Sequence, residues 1–245
     1  MRIDAHNLHY RELNQHIREA VAGGETEIEL DHVNGQRYIA DGIERKVRIT
    51  INGVPGNDLG AFMDGPEVIV RGNAQDAVGN TMNGGRIVVH GDAGDVLGYG
   101  MRGGKILVRG DVGYRVGIHM KAYRAQAPVL VAGGAAGDFL GEYMAGGVLV
   151  ILGLNGRAGQ PLVGDYCATG MHGGIIYLRG QVDSGLIAGD HVVVRESNDE
   201  DLRVLRPHLE EYCSEFGLDV EAVLGRPFLK LAPFSHRPYG GKYAA

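Results

Sequence analysis

The sequence repeats every 19 residues across its middle. Aligned on paired glycines, Gly84-Gly85-Arg86-Ile87-Val88-Val89-His90-Gly91 is followed 19 residues later by Gly103-Gly104-Lys105-Ile106-Leu107-Val108-Arg109-Gly110. It is preceded at the same distance by Gly65-Pro66-Glu67-Val68-Ile69-Val70-Arg71-Gly72. Further copies stand at 129–133, 146–153 and 173–180. A unit made of one short β-branched strand, a glycine turn, a second short extended piece and another turn cannot bury its own apolar face, so units must stack. Stacking equivalent residues at the strand spacing of roughly 4.8 Å gives a right-handed parallel β-helix with coils of about 19 residues.

The period assigns side chains to faces. Val70, Val89, Val108, Val131, Ile151 and Leu178 form one inner ladder, and Val68, Ile87, Ile106, Val129, Leu149 and Ile176 a second. Met82, Met101, Met120, Met144 and Met171 recur at one point of the turn and fill a third. Alternation sends Ile69, Val88, Leu107, Leu130, Val150 and Tyr177 outward. That outer ladder is also apolar, so either the chain's own ends or a partner subunit must cover it. Insertions at 121–126 and 155–161 read as protruding loops.

Glycine follows from the same period. Of 41 glycines, 33 lie between Gly53 and Gly189, where each coil needs corners with positive φ. The count is too low, and the triplet period absent, for collagen. With 44% hydrophobic residues the chain is not a disordered linker either.

The flanks are ordinary α+β sequence, dividing the chain into 1–52 (helix and hairpin cap), 53–195 (β-helix) and 196–245 (C-terminal helices and tail). Leu13, Ile17, Ala20 and Val21 predict a helix over 9–22, stopped by Gly23-Gly24. A strand follows over 25–33, then Asn34-Gly35 as a hairpin turn into 36–39, then a strand through Val47, Ile49 and Ile51. Leu202, Leu205, Leu209, Tyr212 and Phe216 form one helical stripe opened by a capping box at 197–200. Pro207 is expected to kink it or to start a second helix. A short helix follows Asp219, and the tail from Pro227 reads as irregular.

Several chemistries are disfavoured. A formal charge of −6 argues against a nucleic-acid or anionic-membrane binder. No apolar run reaches membrane-spanning length and the N-terminus lacks a signal-peptide core, which makes the cytoplasm the expected compartment. Cys167 and Cys213 read as reduced, ordinary thiols. Gly98-Tyr99-Gly100-Met101-Arg102-Gly103 fits G-x-G-x-x-G, but as a corner of the repeat, without the strand-to-helix context of a phosphate loop. Asp76, Asp92, Asp95, Asp111, Asp138, Asp165 and Asp183 follow corners and read as caps of turn amides. The histidines, including His90, His119, His172 and His191, fall on different coils and make no metal motif. Arg71, His90, Arg109 and Arg179 share one outward repeat position, forming a stripe able to meet an acidic partner surface or a phosphate. With Tyr177 they are the candidate partner-docking residues, and Tyr239-Gly240-Gly241-Lys242-Tyr243 is a candidate docking strap.

The rungs from Gly65 to Gly180, with Ile51-Asn52-Gly53 and Gly35-Gln36-Arg37-Tyr38-Ile39-Ala40-Asp41-Gly42, resemble the GXGXG β-helix domain that ends the large subunit of glutamate synthase. The same domain type resembles one of the chains of formylmethanofuran dehydrogenase. In some microbes a similar glutamate synthase is divided into separate chains. The resemblance implies a non-catalytic structural subunit, with no catalytic residue, cofactor or metal of its own. It would brace a glutaminase chain and an FMN/iron–sulfur synthase chain, which carry the FMN and the iron–sulfur cluster. In keeping with that, the chain begins Met1-Arg2 rather than with a cysteine nucleophile, has two cysteines where a cluster needs three, and leaves no length for an FMN barrel. The alternatives are a scaffold in a formylmethanofuran dehydrogenase-like or other redox complex, and an independent β-helix enzyme acting on a polymer. An open coil end is an unpaired strand edge, so homo-oligomer formation is a further expectation.

Overall fold

The computed structural model describes residues 1–156, 160–187 and 192–235. Its elements are β1 (Arg2–Asp4), α1 (Tyr10–Ala22), β2 (Glu27–Asn34), β3 (Arg48–Val54), β4 (Glu67–Val70), β5 (Arg86–Val89), β6 (Lys105–Val108), β7 (Val129–Ala132), β8 (Ala145–Ile151), β9 (Gly173–Arg179), β10 (Val192–Glu196), α2 (Asp199–Phe216), α3 (Val220–Leu224) and β11 (Phe228–Pro233). From β1 to β9 every strand pairs with its sequence neighbours in parallel. The result is a parallel β-solenoid.

Each coil carries a second stacked contact beyond its strand, the column of parallel bridges Ala74–Ala93–Val112–Ala136–Val163. The stack encloses an inner core in which Val68, Ile87 and Ile106 are fully buried, with Met63, Met82, Met101, Met120, Met144 and Met171 filling a separate column. Methionine suits that role because its unbranched thioether adapts to irregular gaps. At the N-terminal end α1 lays Leu13, Ile17, Ala20 and Val21 on the same core and closes it.

Four differences from the sequence reading have physical causes. Asn34-Gly35 does not make a hairpin: β2 and β3 run parallel, and Gly35 N–H donates to the Val54 carbonyl one coil on, so the chain turns a corner rather than reversing. The coils therefore begin at β2, ahead of residue 53. In β7 the register is one residue later than the alignment on glycine, with Leu130 opposite Ile106 and Ala132 opposite Val108. Leu130 and Ala132 thus point inward and Val129 and Val131 outward, the face reversal that a one-residue slip produces. α2 runs on through Pro207, so no second helix starts there. The proline is exposed, so the Arg203 carbonyl that loses its helical partner is left facing solvent. Finally, part of the tail is regular: β11 pairs antiparallel with β9, and β10 with β11, ending a sheet of 11 strands among the described residues.

The outer ladder is covered by the chain's own C-terminal helices. α2 lies across the rungs from β11 back to β5, burying Leu205, Leu209, Tyr212 and Cys213 against Leu107, Val131, Val150 and Tyr177. Asn198 caps it in a box with Asp201, and Gly217 ends it in the left-handed conformation. None of the described helices is long and apolar enough to cross a membrane.

Candidate functional site

Three surfaces of the stack carry charged or aromatic residues. The first is the strand face beneath α2, where the structure brings together only part of the stripe predicted from sequence. His90 sits edge-on to Phe216 and 3.6 Å from Glu215; burial holds its pKa below the ordinary value, with Glu215 pulling the other way. Arg179 donates to the carbonyls of Val223 (2.7 Å) and Ala222 (3.3 Å), capping α3. Burial and the neighbouring Arg226 lower its pKa. Arg71 and Arg109 are exposed. Tyr177 is fully buried, its hydroxyl pushed up to about 12 chiefly by that burial, so it packs α2 and is not available to a partner. Around this face Arg86 pairs with Glu67, Glu211 and Glu215, and Lys105 with Glu211, tying α2 to two rungs.

The second surface is a ladder of side-chain carbonyls and carboxylates. Asn73 Oδ1 accepts from Asp92 N–H, Asp92 from Asp111 and Asp111 from Ala135, at 2.8–2.9 Å. In a parallel column Asp76 accepts from Asp95 N–H, Asp95 from Tyr114 and Asp138 from Asp165, all at 2.9 Å. These acids cap turn amides, each in the coil that follows its own. Asp183 does the same locally, accepting from Gly185 N–H.

The third surface is the corner that follows the bridge column. There seven successive coils among the described residues each hold three alternate residues at φ between 51° and 70°. The triples are Tyr38/Ala40/Gly42, Asp58/Gly60/Phe62, Ala77/Gly79/Thr81, Val96/Gly98/Gly100, Arg115/Gly117/His119, Phe139/Gly141/Tyr143 and Tyr166/Ala168/Gly170. The central member faces the core, and the outer two face solvent or neighbouring coils. Large side chains gather on them and beside them: His119 stacks on Tyr143 at 5.5 Å and 10°, Phe139 on Tyr166 at 5.0 Å and 15°, Tyr99, between Gly98 and Gly100, meets His119 edge-on, and Arg115 lies over Phe139 at 4.8 Å. Phe62 (53% exposed), Tyr99 (41%), Tyr114 (52%) and Tyr166 (58%) leave apolar ring surface in water. The sequence reading missed this corner. Its signal in the sequence was a glycine or alanine at the middle of each of these turns, flanked at several of them by a bulky residue two positions away.

The remaining chemistry-bearing groups are dispersed. Cys167 lies in the inner core with its thiol pushed up to about 12 by burial, while Cys213 lies in the separate core under α2. They share no ligand set, so these residues do not fit an iron–sulfur cluster. Among the described residues no group of three or more His, Cys, Asp or Glu is placed to hold a metal ion. Gly98 and Gly100 occupy a corner triple and Gly103 precedes β6, so the G-x-G-x-x-G stretch opens no helix. His191 and the strap at 239–243 lie outside the described residues.

A family profile described as GXGXG motif matches residues 24–231. Uncharacterized protein MJ1350 of Methanocaldococcus jannaschii is 49% identical over 249 residues, an alignment covering 98% of this chain and 95% of that protein. The match begins just after α1 and ends in β11, taking in the rungs from β2 to β9 and the seven left-handed corner triples, and the chain therefore belongs to the GXGXG motif family.

Proposed function

We propose that this chain is a non-catalytic structural subunit of a multi-chain, cytoplasmic glutamate synthase, bracing a glutaminase chain and an FMN-dependent, iron–sulfur synthase chain. The observation that carries the reading is membership of the GXGXG family across 24–231, the domain type that the resemblance places at the end of the glutamate synthase large subunit. The architecture suits the role. Each coil is bonded to the next by main-chain ladders and by the aspartate column, and the result is a rod that resists bending between two points of attachment. The strongly shifted groups serve packing: Cys167 and Tyr177 are displaced by burial, and Asp201 by its place at the junction of β10, β11 and α2.

The test is the mass and composition of the native complex, purified through a tag on the full chain in its own host. Co-elution of an FMN and iron–sulfur protein with a glutaminase chain, in fixed stoichiometry, is the expected result. Co-elution of a molybdopterin protein instead would move the chain to a formylmethanofuran dehydrogenase-like assembly. Turnover of an added polymer by the isolated chain would overturn the scaffold role.

A further inference from the structure

We propose that the left-handed corner of the coil stack is a docking surface for a partner protein chain that presents lysine and arginine side chains. This rests on the proposed function only in taking the occupant to be a protein of the same complex. Three observations converge on it.

The first is strain that the fold does not need. The outer positions of the triples accept glycine at Gly42, Gly100 and Gly170, so the corner forms without a side chain. Yet Phe62, His119, Phe139, Tyr143 and Tyr166 hold the same φ, at a cost of roughly 1–2 kcal/mol for each L residue in the left-handed region. Strain of this kind persists where a surface has work to do. The second is exposure. Phe62, Tyr99, Tyr114 and Tyr166 are each 41–58% exposed. Exposed aromatics grouped on a rigid surface are what protein interfaces select. The third is charge. Asp76, Asp95, Asp138 and Asp165 occupy the column directly before the corner residues. Three of these four have one oxygen fixed by an amide of the next coil, which holds the carboxylate in place. Asp58 is held by Asn80, and of the cations beside the corner Arg115 is paired with Glu142, while Arg37 lies over the rings of Tyr10 and Tyr38 in the first coil. Fixed carboxylates beside ring faces select ammonium and guanidinium groups, through ion pairs and cation–π contacts together. The same sign of charge repels nucleic acid.

Two measurements on the full chain, tagged in its native host, test this. Carbodiimide joins carboxylates to amines with no spacer, so the purified complex should yield links from Asp95, Asp138 or Asp165 to lysines of a co-eluting chain. The double variant Phe62→Gly, Tyr166→Gly places glycine where φ is left-handed. It should leave the thermal midpoint no lower while reducing recovery of that chain at least tenfold. A general folding defect would lower both. Links confined to other faces or to a second copy of this chain, or equal recovery by the double variant, would overturn the docking surface. If glutamate synthase chains co-elute but are linked elsewhere, the surface fails and the proposed function stands. If a different complex is linked through this corner, the reverse holds. If nothing co-elutes, both fail.

Discussion

At the scale of single residues, the solenoid is most sensitive at the centre of the left-handed triples. A Cβ on Gly60 would stand 2.7 Å from Cδ1 of Ile87, and one on Gly79 would fall well inside van der Waals contact of Cδ1 of Ile106. In the first coil the centre is Ala40, and the member of the Ile87 ladder one rung earlier is Val68, which has no δ carbon. Alanine is thus accommodated where the facing residue is shorter. Gly79→Ala should lower the unfolding free energy by about 2–4 kcal/mol, combining overpacking with left-handed strain. Adding Ile106→Val should restore part of that loss, although an Ile→Val change alone typically costs about 0.5–1.5 kcal/mol. Urea unfolding of the two variants decides it, and a double variant no more stable than Gly79→Ala would dismiss the contact as the cause. The ladders behind this argument were legible wherever the 19-residue spacing held. They were misread at β7 because the insertion at 121–126 lengthens the step and Val129–Ala132 is preceded by Ala127-Pro128 rather than by the paired glycines that anchor β5 and β6. The sign of φ was not legible at all for Phe62, Phe139 or Tyr166, because an aromatic in an alternating sequence reads as extended strand.

At the scale of elements, the question is what fastens α2 to the rungs. Its apolar stripe was legible from the spacing of Leu205, Leu209 and Tyr212, but a stripe does not say which surface it covers. That choice is made by particular polar contacts. Tyr212 donates its hydroxyl proton to the Val108 carbonyl at 3.2 Å, Glu211 and Glu215 clasp Arg86, and Asp201 joins Lys230 of β11 to Arg195 of β10. Those partners lie far apart in sequence, and Lys230 sits in a tail whose prolines disguised a strand. Burial alone would raise the Asp201 carboxyl, but bonds from Lys230, Arg195 and the Asn198 amide outweigh it and bring the pKa down to about 2. A folded-state pKa below the unfolded value contributes stability above the unfolded pKa, here about 2 kcal/mol for a shift of nearly two units. That contribution should fade as pH falls from about 5 towards 2. Asp201→Asn should therefore be less stable than the parent at pH 7, with the gap narrowing steadily on acidification. A gap independent of pH in urea titrations would show that Asp201 acts through shape rather than charge.

At the scale of the whole molecule, the chain has two cores that meet along one sheet: the interior of the stack, and the layer between the outer ladder and the C-terminal helices. A solenoid draws its stability from contacts between neighbouring coils, so the interior does not depend on a helix lying along its side. The helical layer has the opposite character. α3 is a five-residue helix and α2 has a polar outer face, so neither has a reason to remain helical once lifted from the rungs. The two layers should open separately. Truncating Leu209, fully buried under α2, removes roughly 2–5 kcal/mol of packing. In Leu209→Ala, amide exchange should quicken across 199–224 while β4, β5 and β6 keep the protection of the parent. Binding of an apolar dye should rise as Val150 and Tyr177 are uncovered. If rungs and helices instead exchange together, the sheet transmits the loss through the Arg86 and Lys105 ion pairs and the protein is one cooperative unit. Separate opening gives the rod a practical property: its left-handed corner, built wholly on the inner stack, keeps its shape while the C-terminal layer moves.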